Sequence, residues 1–384
     1  MKKIQDTDVK SKVVLVREDY NVPLMGGRVA DDFRIRASLP TLQYLKEHGA
    51  RTLILSHLGR PDGEVKKELS LRPVAEHLSK LVGEEVLFFE SYAKAQKGVS
   101  GMKNGQIALY ENIRFNPGEE GADEKFTKKL ASLGSIYVND AFGVSHRRHA
   151  SVYVLPQLLP AYAGLILQKE VATFDRLREG AARPITYIMG GAKVETKIRV
   201  VEKLINNIDA VCFGGLLANS ILAAKGLSIG KSLYEKDIEK YIDNFELTDN
   251  AVHLPVDVVV AKDFEGRTPS RVTAVGDIRE DEIILDIGHD TIKLFSDIIK
   301  NSKTVFWNGP MGLFEVAQYA KGTYALAEAL KETTAEVIIG GGEITRAVDE
   351  VGAVDAVSYI STGGGAMLEY LAEGTLPGIE VLEK

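Results

Sequence analysis

The sequence predicts an α/β protein of two doubly wound parallel-sheet domains joined by a hinge helix, and three observations carry the prediction. Short β-branched runs alternate with segments of helical period along the whole chain, the pattern of parallel sheets covered by helices. A length of 384 residues suits two domains at ~100 to 200 residues each. An apolar stretch broken by two prolines, LPQLLPAYAG from Leu155 to Gly164, separates roughly five strand candidates from six, and the helical LQKEVATFDRLREG follows it as far as Gly180. Each half is therefore expected to be Rossmann-like, with that helix as the connector.

In chain order the first half offers the strands VVLV from Val13, TLIL from Thr52, VLFF from Val86, IALY from Ile107 and IYVN from Ile136. The helix FRIRASLPTLQYLKEHG lies between the first two. The second half offers ITYIM, AVCF, VDVVV, TVFW, EVII and SYIS. Residues 1–168 are assigned to the first domain, 169–373 to the second and 374–384 to a tail. No internal repeat relates the halves.

Charge narrows the partners. With 47 basic against 54 acidic residues the net charge is -7, so no non-specific attraction to nucleic acid or anionic lipid is expected, and any anion site must be local. One cysteine, Cys212, permits no internal disulfide and suits a reducing, cytoplasmic setting. The start MKKIQDTDVK lacks the apolar region of a signal peptide, and no apolar run approaches the ~18 residues of a membrane span.

Glycine turns dominate the second half. IIGGGEITRAV, IMGGAKVETKI, CFGGLLANSI and ISTGGGAMLEYL each set glycines between an apolar strand and a helical segment. The first amides of a helix lack internal partners and point outward, which makes such a junction a cradle for an anion. A single glycine pair is as readily a tight turn or close packing. Four in one half favour a ligand, because open α/β sheets bind at the carboxyl ends of their strands. Lys193 and Lys197, four apart, share one helix face and suit a phosphate, against the alternative of solvated surface lysines. KGLSIGKS, from Lys225, resembles a Walker A loop but has three residues between its glycines where four are required, so a turn is expected. No GxGxxG is followed by an acidic residue ~20 positions on, so a mononucleotide is preferred over a dinucleotide.

The first half gathers basic groups at strand ends instead. REDYNVP, from Arg17, follows the first strand and SHLGRP, from Ser56, the second; YENIRF holds Arg114, and NDAFGVSHRRHAS holds His146, Arg147, Arg148 and His149. Any one of these arginines reads as a surface salt bridge. Clustered at four strand ends of an acidic protein, they imply a small, multiply charged anion. An acidic-substrate site in one domain and a glycine-lined phosphate site in the other, with a hinge between, form a phosphotransferase layout.

Taken together, DYNVP, FRIRASLPTL, SHLGRP, ENIRF, NDAFG with HRRHAS, GGAKVETK, FGG, WNGPMGLFE and STGGGA resemble the phosphoglycerate kinase family, in the family's order from about Val13 to Leu382. The resemblance implies a monomeric, hinge-bending glycolytic kinase. It would transfer a phosphoryl group in line, after domain closure, between 1,3-bisphosphoglycerate and ADP to give 3-phosphoglycerate and ATP, with Mg2+ carried as Mg-ADP or Mg-ATP. The first domain would bind 3-phosphoglycerate, the second the nucleotide, and the tail would return to the first. On the glycerate side the resemblance implies contacts from Asp19 and Asn21, with Arg34 bridging substrate and transferring phosphate. His57, Leu58, Gly59, Arg60, Arg114 and Arg147 would hold the carboxylate and the non-reacting phosphate. On the nucleotide side Lys193 and Lys197 are the implied phosphate lysines, Gly214, Gly215, Asn308 and Pro310 line the base, and Glu315 takes the ribose. Gly341, Gly342, Glu343 and Ile344 would meet the phosphates, and the helix starts at Gly342 and at Gly363, Gly364 and Gly365 would face the transferring group. Because the acceptor is a carboxylate, ionised at neutral pH, no general base is required.

Three places depart from the family pattern. Glu18 stands where the family has an apolar or small residue, and it adds a negative charge beside the glycerate site unless the strand period turns it away. LLANSI after FGG alters packing near the base. Glu343 and Ile344 replace aspartate followed by threonine or serine. A carboxylate beside an anion cradle asks for a cation between them, which makes Glu343 the expected magnesium ligand. Thr345, rotated by ~100° on the helix, is the nearest hydroxyl. The alternative of a non-catalytic, nucleotide-binding regulatory protein on the same fold rests on Glu343 and Ile344.

Overall fold

The computed structural model describes residues 1–236, 238 and 251–383. Its contacts define two compact units, Met1–Phe174 with Thr375–Lys384, and Asp175–Gly374.

In the first unit six parallel strands stand in the order Leu87–Phe89, Ile107–Tyr110, Arg51–Leu55, Val13–Arg17, Ile136–Asn139, Ala161–Ala163. The chain starts in the middle and builds first to one side, then to the other, so a topological switch lies between Val13–Arg17 and Ile136–Asn139. Val14, Leu15 and Val16 are fully buried, as a strand covered on both faces requires. In the second unit the parallel order is Val252–His253, Ala210–Phe213, Ile185–Met189, Thr304–Asn308, Glu336–Gly340, Tyr359–Ser361. Here the switch lies between Ile185–Met189 and Thr304–Asn308, and the strand succession is that of the doubly wound nucleotide-binding folds.

Several expectations are corrected. VDVVV is a strand, Asp257–Ala261, but it is the centre of an antiparallel sheet between Arg271–Ala274 and Ile283–Ile287. Its place in the parallel sheet is taken by Val252–His253, a pair too short to show any period. Ala161–Ala163, inside the proline-broken stretch, is a sixth strand of the first sheet. The connecting helix Leu165–Glu179 divides between the units after Phe174, not at 168. KGLSIGKS, by contrast, is as expected: it begins in a turn and opens no helix, and Gly230 makes an isolated bridge to Ile283.

The tail lies on the first unit, with Gly378 N donating to Ser145 O at 2.8 Å and Asn139 Nδ2 donating to Gly378 O at 3.0 Å. Asp140 Oδ1 accepts from Leu167 N at 3.0 Å, tying the start of the connecting helix to the end of the strand Ile136–Asn139. Among the described residues no helix is long and apolar enough to cross a membrane.

Candidate functional site

The basic cluster of the first unit forms where Val13–Arg17 and Arg51–Leu55 end, beside the switch. Asn21 pins it: its Oδ1 accepts from Gly59 N at 2.9 Å and its carbonyl accepts from Arg34 NH1 at 2.9 Å. Arg34 also faces Asp19 at 3.5 Å, and Asp19 Oδ1 accepts from Asn21 N at 3.2 Å. Arg114 is buried, donates to Gly59 O at 2.9 Å and pairs with Glu120 at 3.1 Å. Gly59 has φ +63, and a Cβ there would lie 2.8 Å from the Leu69 side chain, so the turn excludes other residues. His57 is buried; burial, then Arg17, Arg114 and Arg34, hold its pKa well below the usual imidazole range. Arg60 and Arg147 are exposed. Leu58 sits in the core with Tyr20 and Ile54, which leaves only its backbone for a ligand.

Two residues behave differently from expectation. Arg17, counted in the strand-end cluster but given no ligand role, is fully buried and reaches His57 Nδ1 at 3.2 Å. Its one sequence signal is its position as a charged residue ending an apolar strand. Glu18 turns inward: burial, then the neighbouring Asp140, raise its carboxyl well above the usual range, so it places no ordinary charge beside the basic cluster.

In the second unit a cavity of about 370 Å³ opens at the switch. Of the expected residues it is lined by Lys193, Lys197, Gly215, Asn308, Pro310, Glu315, Gly341 and Glu343, and by Gly364 where Gly365 was also expected. Gly214, Gly342, Ile344 and Gly365 do not line it. Lys197 Nζ donates to the carbonyls of Gly190 and Ala192, and burial lowers its pKa to about 8 against the opposing charge of Glu343. Lys193 adopts φ +62 at the head of the helix Val194–Leu204 and is exposed.

The three consecutive glycines have three separate reasons. A Cβ on Gly340 would meet Met367 Sδ at 2.5 Å; Gly341 has φ +107; Gly342 faces open space. Asn308 Nδ2 donates to Gly340 O at 2.7 Å, joining the two strands that flank the cavity. Ile344 packs in the core with Trp307 and Ile339, so its side chain is structural and only its amide is left for a phosphate. Thr345 Oγ1 donates to Gly341 O at 3.1 Å, so the hydroxyl expected near Glu343 is committed to its own helix. Glu343 lines the cavity, and its carboxylate makes no hydrogen bond among the described residues, a donor type that fits a hard cation such as Mg2+. Sequence reasoning missed the apolar wall, Leu233, Phe264, Ile284 and Leu313. Phe264 follows VDVVV, and the end of that strand was the available signal.

A larger cavity, about 770 Å³, in the first unit is lined by Arg72, Phe88, Tyr110 and Phe115 and by none of the expected residues.

The family model for phosphoglycerate kinase matches residues 4–374. The chain is 43% identical over 388 residues to the phosphoglycerate kinase of Thermomicrobium roseum, with 100% of this chain and 99% of that one covered. It is 43% identical over 385 residues to that of Moorella thermoacetica, covering 99% and 98%. In structure it is similar to the phosphoglycerate kinase from Coxiella burnetii, with a TM-score of 0.86 at 37% identity over 99% of this chain and 98% of that one. A crystal structure of the enzyme from Pyrococcus horikoshii OT3 gives a TM-score of 0.86 at 29% identity, covering 100% and 98%.

Proposed function

The chain belongs to the phosphoglycerate kinase family and is a glycolytic kinase moving a phosphoryl group between 1,3-bisphosphoglycerate and ADP; we propose that its basic cluster takes the glycerate and its glycine-lined cavity the magnesium nucleotide. One observation carries this reading. A basic cluster in which Asn21 anchors Arg34 and Gly59 occurs in the same chain as a cavity combining a buried lysine, bare backbone and the Glu343 carboxylate.

In this reading Asp19, Asn21, His57, Gly59, Arg60, Arg114 and Arg147 hold the glycerate, with Leu58 contributing backbone alone. Arg34, Lys193, Lys197 and the helix starts at Gly342 and Gly365 stabilise the transferring group, whose charge spreads over its oxygens. Gly214, Gly215, Asn308 and Pro310 receive the base and Glu315 the ribose. Glu343 would hold Mg2+, which when bound would supply charge neutralisation to the phosphates. The carboxylate acceptor is already ionised, so no residue abstracts a proton. The reading includes bending at the connecting helix to exclude water from the acyl phosphate, in a cytoplasmic monomer.

The test is ATP formation from 1,3-bisphosphoglycerate and ADP across a magnesium titration, in wild type and Glu343→Gln. Activity in wild type, with the magnesium midpoint raised about tenfold in the variant, is expected for loss of one charged ligand. Binding of both substrates without turnover overturns the kinase reading, and an unmoved midpoint removes Glu343 from the metal.

A further inference from the structure

Behind the glycerate cluster lies a chain of buried groups. Arg17 Nε donates to Ser151 Oγ at 2.8 Å. Ser151 Oγ donates to Glu119 Oε1 at 2.6 Å, and Ser151 N donates to Glu119 Oε2 at 3.0 Å. Arg17 NH1 donates to the Glu18 carbonyl, and NH2 reaches His57 Nδ1 at 3.2 Å. Arg17, Ser151 and Glu119 are all 0% exposed.

The direction of every bond in this chain is fixed. A guanidinium can only donate, so the single proton of the Ser151 hydroxyl must go to Glu119, and His57 Nδ1 must offer a lone pair. A neutral imidazole with Nδ1 as acceptor carries its proton on Nε2. The competing acceptor, Asp19 Oδ1, is 3.9 Å from Nδ1, beyond hydrogen-bond range. His57 Nε2 makes no hydrogen bond among the described residues. Glu119 offsets the buried charge of Arg17 through the serine, which lets Arg17 stay buried and committed to internal partners.

We propose that Glu119, Ser151 and Arg17 are positioning residues that hold His57 in its neutral Nε2–H form, presenting one directed donor to an anionic oxygen of the acidic substrate. The arginines supply the charge of the site and His57 supplies direction. Burial and the surrounding Arg17, Arg114 and Arg34 oppose a second proton on the ring. The inference rests on the reading that His57 faces the glycerate.

The test is a long-range 1H–15N spectrum of the full chain labelled at histidine, at neutral pH, with and without 3-phosphoglycerate. The expected result is an unprotonated Nδ1 and a protonated Nε2 on His57, with Nε2 moving on addition of ligand. In Ser151→Ala the Nδ1 signal should shift toward a mixture of tautomers. The KM for 3-phosphoglycerate should rise about tenfold while kcat and the KM for nucleotide hold, as for one weakened charged hydrogen bond. Ser151→Thr, which keeps the hydroxyl, should restore both. A proton on Nδ1 in the wild type overturns the proposal whether or not the variants fold, as does a folded Ser151→Ala with signal and KM unchanged. An Nε2–H ring unmoved by 3-phosphoglycerate overturns the substrate contact and leaves the tautomer assignment standing.

Discussion

The two units build their candidate anion sites by different physical means. In the first, charge sits on side chains, and the inner arginines are held by backbone partners, as Arg34 is by the Asn21 carbonyl and Arg114 by the Gly59 carbonyl. In the second, most of the cradle is bare backbone at strand-to-helix junctions, with Lys197 buried among carbonyls. Planar guanidinium forks fix the orientation of a carboxylate or a phosphate through directed pairs of hydrogen bonds, whereas a glycine cradle offers backbone amides to a phosphate and tolerates no added atom. Removing hydrogen bonds should therefore harm the first site, and adding atoms should harm the second.

The largest expected effect tests what the sites share. Arg34→Ala and Lys197→Ala should each lower kcat on the order of 10² to 10³, as loss of a donor to transition-state charge does. In the coupled assay Arg34→Ala should spare the KM for ADP; if it does not, the division of labour between the units is wrong. Gly309→Ala sharpens the contrast, because its methyl would lie 2.3 Å from Gly190 O and 2.7 Å from Lys197 Nζ. Calorimetric titration should show ADP affinity reduced more than about tenfold, equivalent to the ~1 to 3 kcal/mol of overpacking, with 3-phosphoglycerate binding unchanged.

A smaller effect separates the two kinds of cation by pH. Lys197 titrates at about 8, lowered from 10.5 by burial, whereas arginine stays protonated throughout. If its protonated form serves the phosphates, kcat/KM for ADP should fall as pH rises through about 8. Stability moves oppositely. Between about 8 and 10.5 the unfolded chain holds the lysine proton that the folded chain has lost, so this group's contribution to unfolding free energy rises with pH. An ADP profile flat to pH 10 would show that Lys197 is not the lysine that matters. The smallest effect concerns Glu18, whose buried Oε1 has no hydrogen-bond partner among the described residues. Glu18→Val should raise the unfolding free energy by ~1 to 3 kcal/mol through relieved burial, read as a higher melting temperature, without changing the KM for 3-phosphoglycerate. Since the folded carboxyl titrates above its unfolded value, its contribution to stability is lost as pH rises, and the advantage of the variant should widen in that direction.

Local chemistry explains which features were legible. Runs such as VVLV and ITYIM announce buried parallel strands by composition, and both are strands at central positions of their sheets. VDVVV carries the same signal yet pairs antiparallel, because its partners Arg271–Ala274 and Ile283–Ile287 are set by tertiary contacts that no run encodes. Ala161–Ala163 is masked by its flanking proline and small residues. In the site, glycines and lysines at strand ends could be named in advance, but the apolar wall of Phe264 and Leu313 could not, since apolar residues in loops carry no chemical label. Ile344 looked like part of the cradle by adjacency and belongs to the core by helical phase. The link from Glu119 through Ser151 to Arg17 joins residues up to 134 positions apart, and no spacing rule reaches that far.

The return of the tail to the first unit bears on the order in which the protein is made. Residues 175–374 form one uninterrupted unit, whereas the first is split and takes up Thr375 onward. During vectorial synthesis the later-made unit has all its residues outside the ribosome before the earlier one does. The earlier one must wait for Gly378 to reach Ser145 and Asn139, and for Leu382 O to accept from Lys2 N at 3.3 Å. Disruption of residues 375–383 is therefore a lesion of the first unit, although they lie next in sequence to the second.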